Sequence, residues 1–221
     1  MKYRTVFDII GPIMVGPSSS HTAGAARIGR IARSIFGKQP EWVELSLYGS
    51  FAETYKGHAT DVALIAGVLD FDTNDPRLPE SPKYAKEAGI EVVIKTEGAV
   101  LEHPNTAKIR LQSGSEELEV VGISIGGGKV EITELNGFDL QLSGTSPAIL
   151  IVNHDRYGVV AGVTSLLNQE RVNIGNMKVS RKEKGKMALM VIETDEQIPM
   201  SLIKQIRGLE GVDQVLSMDD Y

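Results

Sequence analysis

Cysteine is absent from the 221 residues. That single absence removes disulfides, thiolate zinc sites, nucleophilic thiols and any iron–sulfur cluster held by the chain's own thiolates. An excess of positive charge is missing too. Lys and Arg number 23 against 29 Asp and Glu, a formal net charge of −6, so the basic face of a nucleic-acid binder is not expected. No apolar run approaches the ~20 residues that span a bilayer, so no membrane partner is expected either. The opening stretch MKYRTVFDIIGPIMVG carries Asp8 inside its apolar part and lacks a small-residue cleavage site. It argues against a signal peptide and makes the cytoplasm the expected address. What is present is an ordinary globular composition, 42% hydrophobic and 24% charged, in a chain long enough to bury a core without staples.

The clearest break in pattern is LSGTSP at 142–147, a cluster of turn-forming residues between two patterned regions. Residues 148–221 read as strand 148–153, helix 158–169, strands 172–181 and 187–194 joined at KEKGK, helix 199–208 and strand 212–218. That βαββαβ order is the ferredoxin-like arrangement. In residues 1–146, positions 20–36 carry an amphipathic helical stripe at Ile28, Ile31, Ala32, Ile35 and Phe36. Positions 42–48 alternate as a strand, and 58–69 read as a second, more apolar helix. From 91 to 142 the pattern turns to strands, with a meander over 108–112, 118–125 and 129–135. The fold class is therefore α+β, a mixed N-terminal domain followed by a ferredoxin-like one. Neither part carries a basic excess.

Four polar stretches could carry chemistry. GPSSSHTAG (16–24) sits before a strong helix, where free N–H groups and the dipole favour an anion. Ser18, Ser19, Ser20 and Thr22 add donors, and His21 can move a proton near neutral pH. A small carboxylate fits such a site, although the same residues also make a serine-rich helix cap. In YGSFAETYKGHATD (48–61), His58 is expected to open a helix with Thr60 and Asp61 in its first turn. His58 and Asp61 would then share a face as a base with its orienting carboxylate, or as two metal ligands; an Asp at that place is equally ordinary dipole chemistry. HPNT brings His103, Asn105 and Thr106 between strands, where a plain turn is the simpler reading. Three such clusters among four histidines hint at one shared pocket. IGGGKV (125–130) is read as a hairpin turn, since a strand rather than a helix follows it. In NHDRYGVVAGV (153–163), Gly158 is expected to lie near Asn173 at one end of the second sheet, as a small-molecule site or as a merely structural loop.

Taken together, these motifs resemble something known. Residues 148–221, with NHDRYGVVAGVTSLLNQERVNIGNM, resemble an ACT domain, a regulatory module that often binds amino acids between paired copies. Residues 1–146, with GPSSSHTAG, GSFAETYKGHATD, HPNT and SIGGG in order, resemble the beta chain of bacterial iron–sulfur-dependent L-serine dehydratases. That region is also similar in fold to the allosteric-substrate-binding domain of some phosphoglycerate dehydrogenases.

The resemblance implies conversion of L-serine to pyruvate and ammonia, with a four-iron four-sulfur (4Fe-4S) cluster as the Lewis acid on the serine oxygens. A chain without cysteine would leave that cluster to the cysteines of a partner alpha subunit, with no metal ligand of its own. The resemblance further implies that His21 and His58 transfer protons, with Asp61 orienting His58. Ser18, Ser19, Ser20, Thr22 and Thr60 would hold the substrate, and His103, Asn105 and Thr106 would complete the polar wall. Asn153, His154, Gly158, Val159 and Asn173 would form an effector site, and the ACT domain would mediate self-association. Two alternatives stand beside this reading. One is a noncatalytic amino-acid sensor that regulates a partner. The other is a self-sufficient hydrolase with a metal at His21, His58 and Asp61, with His103 as a further candidate ligand, for which no HExxH-type spacing is present.

Overall fold

The computed structural model describes residues 12–219. The chain divides into two compact units, the first ending at Thr133 and the second starting at Glu134.

In the first unit a five-residue π-turn, Ser19–Ala23, leads into α1 (Gly24–Phe36). The stripe predicted for α1 is buried at Ile28, Ile31, Ala32, Ile35 and Phe36. Gly37 ends the helix in the left-handed conformation, φ 74°. Strand β1 (Trp42–Tyr48) follows, then α2 (Gly49–His58), α3 (Thr60–Val68) and α4 (Ser81–Glu87). The remaining elements are β2 (Glu91–Glu97), β3 (Thr106–Ser113), β4 (Glu116–Gly126) and β5 (Lys129–Leu135). They build a sheet in which β1 lies between β2 and β3, with β4 and β5 beyond β3. β1 runs parallel to β2 and antiparallel to β3. Val43 to Leu47 of β1 are buried throughout, as befits a central strand.

Helices α1 and α3 cross with their backbones nearly touching. A Cβ placed on Gly67 would run into the Ala26 carbonyl oxygen and meet the Arg30 nitrogen at 2.6 Å. Gly29 faces the Leu64 carbonyl in the same way. Two glycines in register let these helices approach more closely than ordinary side chains permit.

The helix expected over 58–69 is α3, Thr60–Val68, and it is preceded by α2, which was not expected. His58 closes α2 rather than opening α3, because Ala59 between them is left-handed, φ 53° and ψ 37°. The α helix at 81–87 was not expected either; it is short, begins at Ser81 and has Pro82 in its first turn.

The second unit holds β6 (Phe138–Leu142), β7 (Ala148–His154), α5 (Val159–Gln169), β8 (Ile174–Arg181), β9 (Met187–Thr194), α6 (Met200–Arg207) and β10 (Val212–Met218). Its four-stranded sheet has the order β10-β7-β9-β8. Ile149, Ile151, Met190 and Ile192 of the sheet pack with Val163 and Leu167 of α5 and with Leu202 and Ile206 of α6. β6 lies against β8 and β9. Just after β6, the Ser143 hydroxyl donates to Glu193 Oε1 at 2.8 Å. The predicted α+β class and the βαββαβ order both hold.

One expectation here is corrected. β7 and β8 both run antiparallel to β9, so they are parallel to each other. Ile174 faces Thr194, whereas His154 faces Met187. Asn173 therefore sits at the Ala148 end of the sheet and Gly158 at the opposite end, because α5 carries the chain back before β8 begins.

Candidate active site

The site grows from the end of β1. Gly49, at φ 52°, turns the chain sharply from strand into α2. A side chain there would strike the Pro104 carbonyl oxygen at 2.6 Å. This turn places Ser50 in the first turn of α2, beside a cavity of about 650 Å³ lined by Gly49, Ser50, Glu53, Thr96, His103 and Pro104, among others. The cavity opens past the carboxyl ends of the parallel pair β1 and β2, a common position for ligands in sheets with parallel strands.

The π-turn brings His21 to the same place. Its Nε2 lies 2.9 Å from Ser50 Oγ, and its Nδ1 lies 2.9 Å from Ser20 Oγ. The His21 amide donates to Ser18 Oγ at 3.1 Å, so Ser18 caps the turn. Ser18 Oγ is also 3.3 Å from Ser20 Oγ. The rings of His21 and His58 stand 4.8 Å apart at a tilt of 49°, and Phe51 packs edge-on against His21 at 5.3 Å.

Around this core the other predicted residues take distinct places. Thr22 is buried, and its hydroxyl donates to the His58 carbonyl at 3.0 Å, tying the π-turn to the end of α2. Thr60 is fully buried. Thr106 donates its hydroxyl to the His103 carbonyl at 2.6 Å, and Asn105 Nδ2 donates to the Ser124 carbonyl. The Asn105 amide donates to His103 Nδ1 at 3.2 Å, so Nε2 carries the proton of the neutral ring. Thus His103 lines the cavity with Ser50, while Asn105 and Thr106 brace its loop. Ser19 lies in the π-turn, where its carbonyl accepts from Gly24.

Asp61 does not orient His58. Its carboxylate accepts from the Val62 amide at 2.9 Å, and His58 Nδ1 is buried without a hydrogen-bond partner. The left-handed Ala59 removes the helical spacing that the pairing needed. Thr60 Oγ1 and Ser124 Oγ are likewise buried and unpartnered, an arrangement that calls for an ordered water or a bound polar group. Among the described residues no group of three or more His, Asp or Glu could hold a metal ion.

Burial holds the His21 imidazole below the usual histidine range, and repulsion from a protonated His58 acts in the same direction. His21 therefore stays neutral to lower pH in the folded chain than in the unfolded one. Its contribution to stability is complete above the ordinary value of 6.5 and is lost as pH falls through the lowered folded value. Unfolding measured across this window should show a smaller acid-side loss for His21→Asn than for the natural chain. Equal losses would contradict this assignment.

In the second unit, Asn153 is buried and donates through Nδ2 to the His154 carbonyl at 2.8 Å. Its Oδ1 is buried without a partner. Gly158 is left-handed, φ 91°, at the start of α5, and Val159 packs into the core. His154 Nε2 lies 3.4 Å from Asp213. Asn173 Nδ2 donates to Asp195 at 2.6 Å at the far end of the sheet.

The sequence reading did not single out Ser50, Phe51 or Ser124. Only Ser50 had a visible signal, a Ser following Gly where a strand ends.

The serine dehydratase beta chain family model matches residues 5–89, and the ACT domain model matches residues 148–211. Over 220 residues the chain is 56% identical to the probable L-serine dehydratase beta chain of Bacillus subtilis, covering all of both chains. It is 39% identical to the L-serine dehydratase beta chain of Peptoniphilus asaccharolyticus, across 95% of this chain and 96% of that one. A D-3-phosphoglycerate dehydrogenase of Bacillus subtilis is 24% identical over 88% of this chain and 37% of its own length.

Proposed function

The chain belongs to the serine dehydratase beta chain family, and we infer that it serves as the beta subunit of an L-serine ammonia-lyase that releases pyruvate and ammonia. The observation that carries this reading is the convergence of three separated motifs at the end of β1: His21 touches Ser50 and His58, and His103 lines the same cavity as Ser50. Binding alone needs donors. Two adjacent imidazoles beside a hydroxyl array add the means to move a proton.

We assign the substrate's carboxylate to the first turn of α2, where N–H groups and the helix dipole favour an anion, with Ser18, Ser19 and Ser20 behind it in the π-turn that carries His21. His21 and His58 handle the protons that leave Cα and join the departing hydroxyl. Thr22, Thr60, Asn105 and Thr106 hold the walls in place. An iron–sulfur cluster, when bound, would polarise the substrate hydroxyl. This chain has no cysteine thiolate for it, so its ligands would come from a cysteine-bearing alpha subunit.

The ACT unit is assigned to self-association and effector binding. Antiparallel pairing of two β8 edges would carry Asn173 of one copy to the Gly158 loop of the other, joining the residues that a single copy holds apart.

The deciding experiment compares pyruvate release from L-serine by the tagged chain purified anaerobically from its native cells with release by the chain made alone. Activity confined to the native preparation, with a co-purifying cysteine-containing subunit and iron, is the expected result. A partner without lyase activity would instead favour the sensor.

A further inference from the structure

The two ring nitrogens of His21 are both engaged, Nδ1 by Ser20 and Nε2 by Ser50. Ser50 and His103 line the cavity, and His21, carried by the π-turn, stands behind Ser50. An imidazole with both nitrogens occupied cannot take a proton directly from a molecule in the cavity. It can take one only through a neighbour. Ser20 Oγ in turn stands 3.3 Å from Ser18 Oγ, near the partly exposed start of the turn. The four groups form one unbroken line of hydrogen-bond distances, hydroxyl to imidazole to two hydroxyls.

We propose that Ser50 is the substrate-facing end of a proton relay that runs through His21 and Ser20 to Ser18. A proton reaching Ser50 Oγ releases the hydroxyl proton to His21 Nε2. His21 gives its Nδ1 proton to Ser20, Ser20 gives its own to Ser18, and Ser18 gives one to water. One proton leaves the cavity, every hydroxyl is restored, and the imidazole ends neutral in the opposite tautomer. The reverse order delivers a proton to a leaving oxygen. The fold supports this role locally. Gly49 admits no side chain against Pro104, and Thr54 donates its hydroxyl to the Ser50 carbonyl at 2.7 Å, fixing the turn that presents Ser50. Depressed basicity at His21 keeps the ring neutral, the form that can both accept and donate.

The substrate in this scheme rests on the lyase reading; the relay itself does not. Two measurements separate them. In the assembled enzyme, Ser50→Ala should lower kcat for L-serine by ~10²-fold with a smaller change in KM, and Ser50→Thr should restore most of it. The kcat–pH profile of the alanine variant should also move relative to the natural enzyme. A kcat within about 3-fold of the natural value would overturn the proposal. In the chain alone, nitrogen NMR of His21 should show its Nε2 shift and titration altered by Ser50→Ala and its Nδ1 shift altered by Ser20→Ala. Unaltered shifts would overturn the relay whether or not the complex proves to be a lyase. An inactive natural complex with altered shifts would remove the lyase reading and leave the relay standing.

Discussion

Replacing His21 by alanine is expected to reduce turnover of L-serine by the assembled enzyme by ~10²- to 10⁴-fold, the range associated with loss of a positioned acid–base group. The expectation follows from its place at the centre of the site. Its side chain touches Ser20, Ser50, Phe51 and His58 together. Alanine removes the ring and both of its hydrogen bonds, leaving Ser50 without its partner. Because His21 is only partly buried, the fold should survive, and circular dichroism and thermal unfolding will show whether it does. His58→Ala should also slow turnover by ~10²-fold if His58 shares the proton traffic. Steady-state pyruvate release decides the matter. Turnover within about 3-fold of the natural value in both folded variants would take proton transfer away from this histidine pair.

The largest effect on stability is expected at Gly67. A methyl group there meets main chain on the facing helix: the Ala26 carbonyl oxygen, the Arg30 nitrogen and the Gly29 carbonyl carbon. Backbone cannot rotate out of the way as the end of a side chain can. Gly67→Ala should therefore force α1 and α3 apart and cost about 3 kcal/mol, at the upper end of ordinary overpacking. At this chain length that corresponds to a fall in melting temperature of roughly 6–12 °C. Gly37→Ala supplies the contrast. Gly37 has open space around it and a φ of 74°, so its replacement carries only the conformational cost of about 1 kcal/mol. Thermal unfolding of the two variants side by side tests the idea. Equal losses would show that the helices can separate at little cost.

Much of the second unit was legible because its signals are local. Strands 187–194 and 212–218 coincide with β9 and β10, since alternation and turn residues bracket both. The same holds for β1. α2 was invisible for a physical reason: Phe51 is its one buried residue, so it carries no apolar stripe to read. Without α2, His58 appeared to start a helix that it in fact precedes, as the last residue of α2, and the pairing with Asp61 fell with it. Ser50 escaped notice because its importance lies in a contact with His21, 29 positions away in sequence. The separation of Asn173 from Gly158 was available in principle. A strand, a helix and a parallel strand return the chain to the starting end of the sheet, so the end of β7 and the start of β8 lie far apart.

The second unit's sheet has helices on one face and β6 against β8 and β9, which directs association toward its strand edges. Of the two edges, each of which has one register shift, β10 is the less suited to accept another strand. Its register with β7 shifts between Val212 and Gln214, and Asp213 at that irregularity is drawn to His154. Irregular, charged edges of this kind discourage open-ended strand addition. If the unit self-associates as proposed, sheet extension would then favour a single junction, at β8. A two-fold contact there would consume that edge on both copies, so assembly through this unit would terminate at a pair instead of propagating as a fibre.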